Sequence, residues 1–459
     1  MKKHLCWVRR DLRLHDHHAL SKALTAPCEI VFCFDPLILN KLTDKEDRRL
    51  TFIIDSLKVM EHELQEKGAS LHILYGDPVV EIPKLAKTLQ VSAVFTNRDY
   101  EPYAKKRDES VGHQLVELGI NFHTFKDSVF YEQKEILNGS GQIYKVFTPY
   151  KNKWLETLHE QENIVPDFKV NLKNLVPWKN PKNILAFDWH KELGFIETSS
   201  LVKAGSLAAL KRLKDFDKKM KDYGEARDIP SLEGTSNLSP SIRHGCLSVR
   251  DMVRAGLKNT TEGGRKWLSE VIWRDFYHML LDAFPHVEKK CFKPDYDQIQ
   301  WQGTKEHFKL WCEGKTGYPL VDAAMRCLNQ TGLMHNRLRM VVASFLCKTL
   351  LIDWREGEKY FAQKLLDFDL AANNGGWQWS SSTGCDAQPY FRIFNPYNQS
   401  EKFDKDGTFI RQWVPELAHV DKGDIHSPTP LLAPDYPRPV VVYEKSRQEA
   451  LKMYAVVKK

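Results

Sequence analysis

Five short apolar runs, Leu5 to Val8, Glu29 to Phe34, Leu71 to Tyr75, Val91 to Thr96 and Asn121 to Phe125, alternate with segments able to form helices. That alternation specifies a parallel sheet, because each strand must be joined to the next by a crossover that a helix supplies. The clearest helix carries Leu50, Ile53, Ile54, Leu57, Met60 and Leu64 on one stripe and stops at Gly68. Asp77 and Pro78 read as an N-cap followed by proline at the first helical position. Residues 1–127 are therefore expected to form a doubly wound α/β domain. The turn after the first run, Arg9 to Asp16, has no G-x-G-x-x-G, which argues against a conventional dinucleotide site there.

From Ser128 to about Ser200 the periodicity is lost. Pro149, Pro166, Pro177 and Pro181 punctuate a lysine-rich passage, predicted to be a long wrapping connector over 128–200. Beyond Leu201 strand signals nearly vanish and helical stripes dominate to about Leu417, so residues 201–459 are expected to form an all-α domain. The proline-rich segment from Pro428 to Pro439 is predicted to be a surface extension ahead of a final short helix. A chain of 459 residues suffices for two or three cores. Its net charge of +7 permits a polyanionic partner without demanding one. Nine scattered cysteines, with no C-x-x-C and no paired Cys/His spacing, indicate neither a disulfide framework nor a metal site. Apolar runs such as Met340 to Cys347 are too short to span a bilayer, and Arg9, Arg10 and Arg13 interrupt any leader-like segment. A soluble protein of a reducing, cytoplasmic setting is expected.

Against this background one stretch is a poor generic core. Asp367 to Trp379 reads D-F-D-L-A-A-N-N-G-G-W-Q-W, and an unpaired buried polar group costs roughly 1–3 kcal/mol. Asp369 is placed to cap a helix running through Ala371 and Asn374, while Gly375 and Gly376 omit side chains where a flat group could approach. Trp377 and Trp379 fall about 200° apart on that helix and so should meet different environments. On a helix from Lys266 to Phe284, Glu270, Trp273, Arg274 and Tyr277 share a face. The loop Gly234 to Pro240 gathers hydroxyls and main-chain N–H groups suited to phosphate, although taken alone it reads as an ordinary Ser N-cap followed by proline. In Met334 to Met340, Asn336 and Met340 share a face, and Arg337 and Arg339 point elsewhere. One of those arginines can meet Asp367 or Asp369 while the other reaches a phosphate. His335 is a secondary candidate.

Leu5 to Arg9 with Asp11 to Arg13, Tyr144 to Pro149, Gly234 to Ser239, Trp267 to Arg274, His335 to Met340, Asp353 to Arg355 and Asp367 to Trp379 together resemble the photolyase/cryptochrome family. The likeness runs nearly end to end and looks closest to bacterial class I enzymes that repair cyclobutane pyrimidine dimers in DNA. The resemblance implies a full set of site residues. By it, non-covalent FAD would be held in the helical domain by Tyr223, Thr235, Ser236, Asn237, Leu238, Ser239, Trp267, Glu270, Arg274, Asn336, Arg339, Asp367, Asp369 and Asn373, the last facing flavin N5. Glu270, Trp273, Asn336, Arg337, Met340 and Trp379 would line the cavity for a flipped-out dimer, with Glu270, Asn336, Met340 and Asn373 serving the chemistry. Trp301, Trp354 and Trp377 match the family's electron-transfer tryptophans, and Arg227, Arg337, Arg392 and Lys402 are candidates for DNA phosphates.

The resemblance thus implies a monomeric, light-driven repair lyase acting on dimer-containing DNA. A cryptochrome-like photoreceptor and a (6-4) photolyase are the rival readings. Val8, His17 and Leu333 depart from commoner family residues. An antenna chromophore is a further implication. For 5,10-methenyltetrahydrofolate, relatives place a carboxylate after the fourth strand where this chain has Tyr103 and Ala104, though Lys289 is retained; a deazaflavin, another flavin or an empty cleft are the alternatives.

Overall fold

In the computed structural model, which describes residues 3–458 except 163 and 181, the apolar runs become five parallel strands. They are β1 (His4–Val8), β2 (Cys28–Phe34), β3 (Leu71–Tyr75), β4 (Ala93–Asn97) and β5 (Asn121–Phe125), in the order β3-β2-β1-β4-β5. The register pairs His4 with Cys28 on one side and with Ala93 on the other. β2 and β4 are buried along their whole length, as strands covered on both faces must be, whereas β5 at the edge is not. The fourth strand begins two residues later than its apolar run. Val91 N–H instead closes the preceding helix by donating to the Ala86 carbonyl at 3.1 Å, with Gln90 in the left-handed region at φ +54°.

The short helix His18–Ala23 lies between β1 and β2, and the later crossovers are carried by α1 (Arg48–Gln65), α2 (Pro78–Thr88) and α3 (Pro102–Glu117). Asp47 caps α1 and Asp77 caps α2, the latter with Pro78 just inside the helix. On α1, Phe52 and not Ile53 joins Leu50, Ile54, Leu57, Met60 and Leu64 in the core.

The segment expected to be a connector is tied down at several points. It contains α4 (Phe147–Glu160), and Phe130, Tyr150 and Trp154 are buried. Its start is tied down by one buried carboxylate: Asp275 accepts from Phe130 N at 3.2 Å, Tyr131 N at 3.1 Å and Trp154 Nε1 at 3.1 Å. Further on, Trp178 donates from its backbone to Gly68 and from its indole to Ser70, and Asn180 reaches the Leu71 carbonyl at 2.7 Å. These anchors lie far apart in sequence, so no local pattern announces them. Pro181 lies outside the described residues.

No strand follows β5 among the described residues. The helices that carry candidate residues are α5 (Glu262–Ala283), α6 (Asn336–Lys348), α7 (Trp354–Lys364), α8 (Leu370–Ser380) and α9 (Pro396–Phe403), with α10 (Tyr443–Tyr454) near the C-terminal end. α5 starts four residues before the position expected, because Gly263 and Gly264 have no Cβ to strike the Met220 and Asn259 carbonyls, 2.2 and 2.1 Å from where one would be. The proline-rich extension is pinned: Tyr436 is buried and its hydroxyl donates to Asp322 at 2.5 Å.

The chain forms two compact units, drawn differently from the boundaries expected at 127 and 200. One comprises residues 1–144, 148–221 and 236–283, and the other 145–147, 222–235 and 284–459. The core of the second gathers Trp311, Tyr318, Phe345, Trp354, Phe361 and Trp377.

Candidate active site

Helix α8 and the residues just before it carry the stretch that read as a poor generic core, and its carboxylates and amides have definite partners. Asp369 caps it, accepting from Ala372 N at 3.2 Å. Asp367 is buried, and Arg339 Nη2 alone donates to both of its oxygens, at 3.1 and 2.8 Å, while Nε donates to the Met334 carbonyl. Asn374 is buried and donates to the Val287 carbonyl at 2.9 Å. Asn373 is half-buried and donates to the Glu358 carboxylate at 2.9 Å and to the Glu358 carbonyl at 3.1 Å. Burial pushes the Glu358 carboxyl up to about 7.

The two tryptophans of α8 part company as their spacing requires. Trp377 is buried, edge-on to Phe361 with ring centres 5.0 Å apart and to Trp311 at 6.1 Å. Gly357 makes this possible, since a Cβ there would lie 2.1 Å from Trp377 Cη2. Trp379 is half-exposed. Gly376 has open space where a Cβ would project, with no atom within 4 Å. Trp354 is buried with its indole N–H unpartnered, under the Arg355 guanidinium at 4.8 Å. Trp301 is half-buried, edge-on to Tyr454 at 6.0 Å.

His335 caps α6, its Nδ1 accepting from Arg337 N at 3.2 Å. Burial lowers its pKa to about 4, so the ring is neutral with the proton on Nε2, and Nε2 is a buried atom without a partner. One turn along, Asn336 Nδ2 lies 4.0 Å from Met340 Sδ, so these two do share a face. Arg337 is engaged within the chain: Nη2 lies 3.0 Å from Asp228 and the guanidinium 4.4 Å from the centre of the Phe403 ring. A phosphate would have to compete with that carboxylate. Arg227 stands over the Tyr223 ring at 5.3 Å, and Lys402 and Arg392 are exposed.

In the other unit, the face of α5 carrying Glu270, Trp273, Arg274 and Tyr277 is half-buried, while Trp267 beside it is buried against Phe216. Trp273 stacks on Tyr277 at 5.4 Å, and Arg274 donates to the Ser128 carbonyl. Ser239 is not an N-cap. The short helix Ser239–Arg243 is led by buried Leu238, with Ser239 and Pro240 its first two residues and no side chain capping it. The hydroxyl of Ser239 and the amide of Asn237 are exposed, Asn237 being held at φ +50°. For an antenna, Ala104 is buried without a polar side-chain atom, and Tyr103 donates its hydroxyl to Asp35 at 2.6 Å. Neither of these two side chains is itself a carboxylate that could bind a folate.

Glu358 on α7 and Lys348 at the end of α6 were not singled out by sequence. Nothing in their local spacing separates them from ordinary helix residues.

A profile described as the FAD binding domain of DNA photolyase matches residues 267–456, and one for DNA photolyase matches residues 4–168. The deoxyribodipyrimidine photo-lyase of Vibrio cholerae is 42% identical over 479 aligned positions that span 99% of each chain. That of Escherichia coli is 39% identical and spans 100% of each. The crystal structure of a class III photolyase from Agrobacterium tumefaciens superposes with a TM-score of 0.90 at 33% identity, covering 100% of this chain and 98% of that one.

Proposed function

The chain belongs to the photolyase/cryptochrome family, and from that premise we propose that it is a deoxyribodipyrimidine photo-lyase, repairing cyclobutane pyrimidine dimers in DNA under light. The observation that carries this reading is the unbroken likeness, from one end to the other, to enzymes of that name. The residues present fit FAD. His335 offers a buried Nε2–H with no partner, Gly376 leaves room for a flat group, and the Arg339–Asp367 pair is fixed beside them in sequence on α6 and before α8. Bound there and reduced, FAD would supply the light-excited electron donor that splitting of the dimer requires.

The protein's part is to bind, orient and exclude water. Asn373, held by Glu358, presents an amide that can bond flavin N5 without adding charge. Tyr223, Thr235, Ser236, Asn237, Leu238, Ser239, Trp267, Glu270, Arg274, Asn336 and Asp369 complete the cofactor set. Trp273 and Trp379 are assigned as apolar walls for the flipped bases, and Glu270, Asn336 and Met340 as the groups facing their edges. A preorganised hydrogen-bond donor there favours the negative charge that develops on the dimer. Trp377, Trp354 and Trp301 are assigned to reduce the cofactor, and Arg227, Arg337, Arg392 and Lys402 to meet phosphates. Functionally we divide the chain into an antenna-type domain at 1–127, a connector at 128–200 and a catalytic domain at 201–459. We also propose that it acts as a monomer in the cytoplasm. All nine cysteines are unpaired, as a reducing compartment requires, and no described helix is long and apolar enough to cross a membrane.

Illuminating a dimer-containing oligonucleotide with the reduced, FAD-loaded protein tests the function. Restored pyrimidine absorbance in light and none in darkness is expected. Flavin photochemistry without repair would favour a photoreceptor instead, and repair confined to (6-4) photoproducts would favour the other enzyme class.

A further inference from the structure

Lys348, the last residue of α6, has no solvent exposure, and no carboxylate pairs with it among the described residues. Its Nζ donates to Ser382 Oγ at 2.9 Å and to the Arg392 carbonyl at 3.2 Å. Burying an ammonium is unfavourable by several kcal/mol unless its donors are satisfied, so a methionine or leucine would be the ordinary choice in such a core. The side chain joins two places that are adjacent in space but ten residues apart (392 − 382).

The segment between them links α8 to α9 and contains no helix or strand. Its backbone is also pinned at the near end, where the Tyr454 hydroxyl donates to the Ser381 carbonyl at 2.8 Å and Ser382 sits in the left-handed region at φ +69°. At the far end Ile393 packs against the cluster of Leu351, Met453 and Tyr454. Between these pins Phe391 is 58% exposed and Arg392 is exposed beside it. An aromatic ring next to a guanidinium is the combination that follows base and phosphate in single-stranded grooves.

We propose that Lys348 is a positioning residue for DNA binding: holding Ser382 and the Arg392 backbone on one ammonium, it sets the loop from which Phe391 and Arg392 project. The proposal rests on the assignment of Arg392 to DNA. It accounts for a buried, unpaired charge at the end of a helix whose first turn carries substrate-facing residues. Lowered to about 8 by burial, the ammonium is still the prevailing form near neutral pH.

The test uses full-length, FAD-loaded protein and a dimer-containing duplex, with binding followed in the dark by fluorescence anisotropy. Lys348→Met should weaken binding about tenfold, in the range of one misaligned charge-assisted hydrogen bond. Flavin content and turnover at saturating DNA should be unchanged, and hydrogen exchange should quicken over residues 381–394. Parental affinity in Lys348→Met beside weakened binding in Arg392→Ala overturns the clamp. Parental affinity in both overturns the assignment of Arg392 to DNA, and the clamp with it. Lost turnover at unchanged affinity also refutes positioning. Should Lys348→Met not retain flavin, Ser382→Ala decides, since it removes one acceptor only: about threefold weaker binding with full flavin content is expected, and parental affinity refutes the proposal.

Discussion

Replacing Trp377 by Phe and Trp379 by Ala tests whether two tryptophans on one helix do different work. Trp377 is buried between Phe361 and Trp311 and presses on Gly357. Phenylalanine is smaller by roughly 40 Å³, so the void at about 24 cal/mol per Å³ costs about 1 kcal/mol before the lost transfer term. A domain of this size tolerates that, and the variant should fold and keep its flavin. Phenylalanine is far harder to oxidise than tryptophan. Light-driven reduction of oxidised FAD should therefore nearly stop, while repair should persist once the flavin has been reduced chemically. Trp379 is half-exposed, and its loss should leave photoreduction intact. Base stacking on an aromatic ring is worth roughly 1–3 kcal/mol per base, so Trp379→Ala should weaken dimer-DNA binding by about 5- to 150-fold. The assay is flavin bleaching under light with an external donor, run beside anisotropy and repair by prereduced enzyme. Normal photoreduction in Trp377→Phe, or parental affinity in Trp379→Ala, would falsify the division.

Arg339→Met should leave the buried Asp367 carboxylate unpaired and destabilise the protein by about 1–3 kcal/mol, the partly exposed guanidinium moderating the larger value of a fully buried pair; a urea midpoint unchanged from the parent would contradict this. Glu358 has a folded-state pKa of about 7 against an ordinary carboxylate value, so the folded flavin-free protein binds the proton more tightly than the unfolded chain does. Its destabilising effect is absent at acid pH, develops as pH rises from the ordinary carboxylate range and is complete just above 7, reaching about 3 kcal/mol. Glu358→Gln should flatten that part of the pH dependence in urea unfolding, and an identical profile in both proteins would sink the assignment. Asp228→Asn should release Arg337 for phosphate, tightening dimer-DNA binding and steepening the dependence of log K on log salt by about 0.9. A slope equal to the parent's would show that Asp228 does not withhold Arg337 from DNA.

The sequence by itself determined whatever depends on neighbours along the chain. The order of strands and crossovers follows from apolar runs alternating with helical stripes, the caps at Asp77 and Asp369 from their side-chain chemistry, and the different facing of Trp377 and Trp379 from the 3.6-residue period, and all appear in the structure. The family likeness was legible too, because its motifs are short and local. Pairings between distant segments, by contrast, arise from tertiary packing. The tertiary structure bonds Asn373 to Glu358, Arg337 to Asp228 and Asn374 to the Val287 carbonyl, and leads the short helix at Ser239 with Leu238 in place of a serine cap. It also anchors the apparently irregular connector on Asp275, and it places Lys348 under a loop that begins 34 residues later. A side chain's partner across such separations is chosen by packing, since a buried polar atom takes whichever donor or acceptor the folded backbone brings within reach. No local spacing encodes that choice.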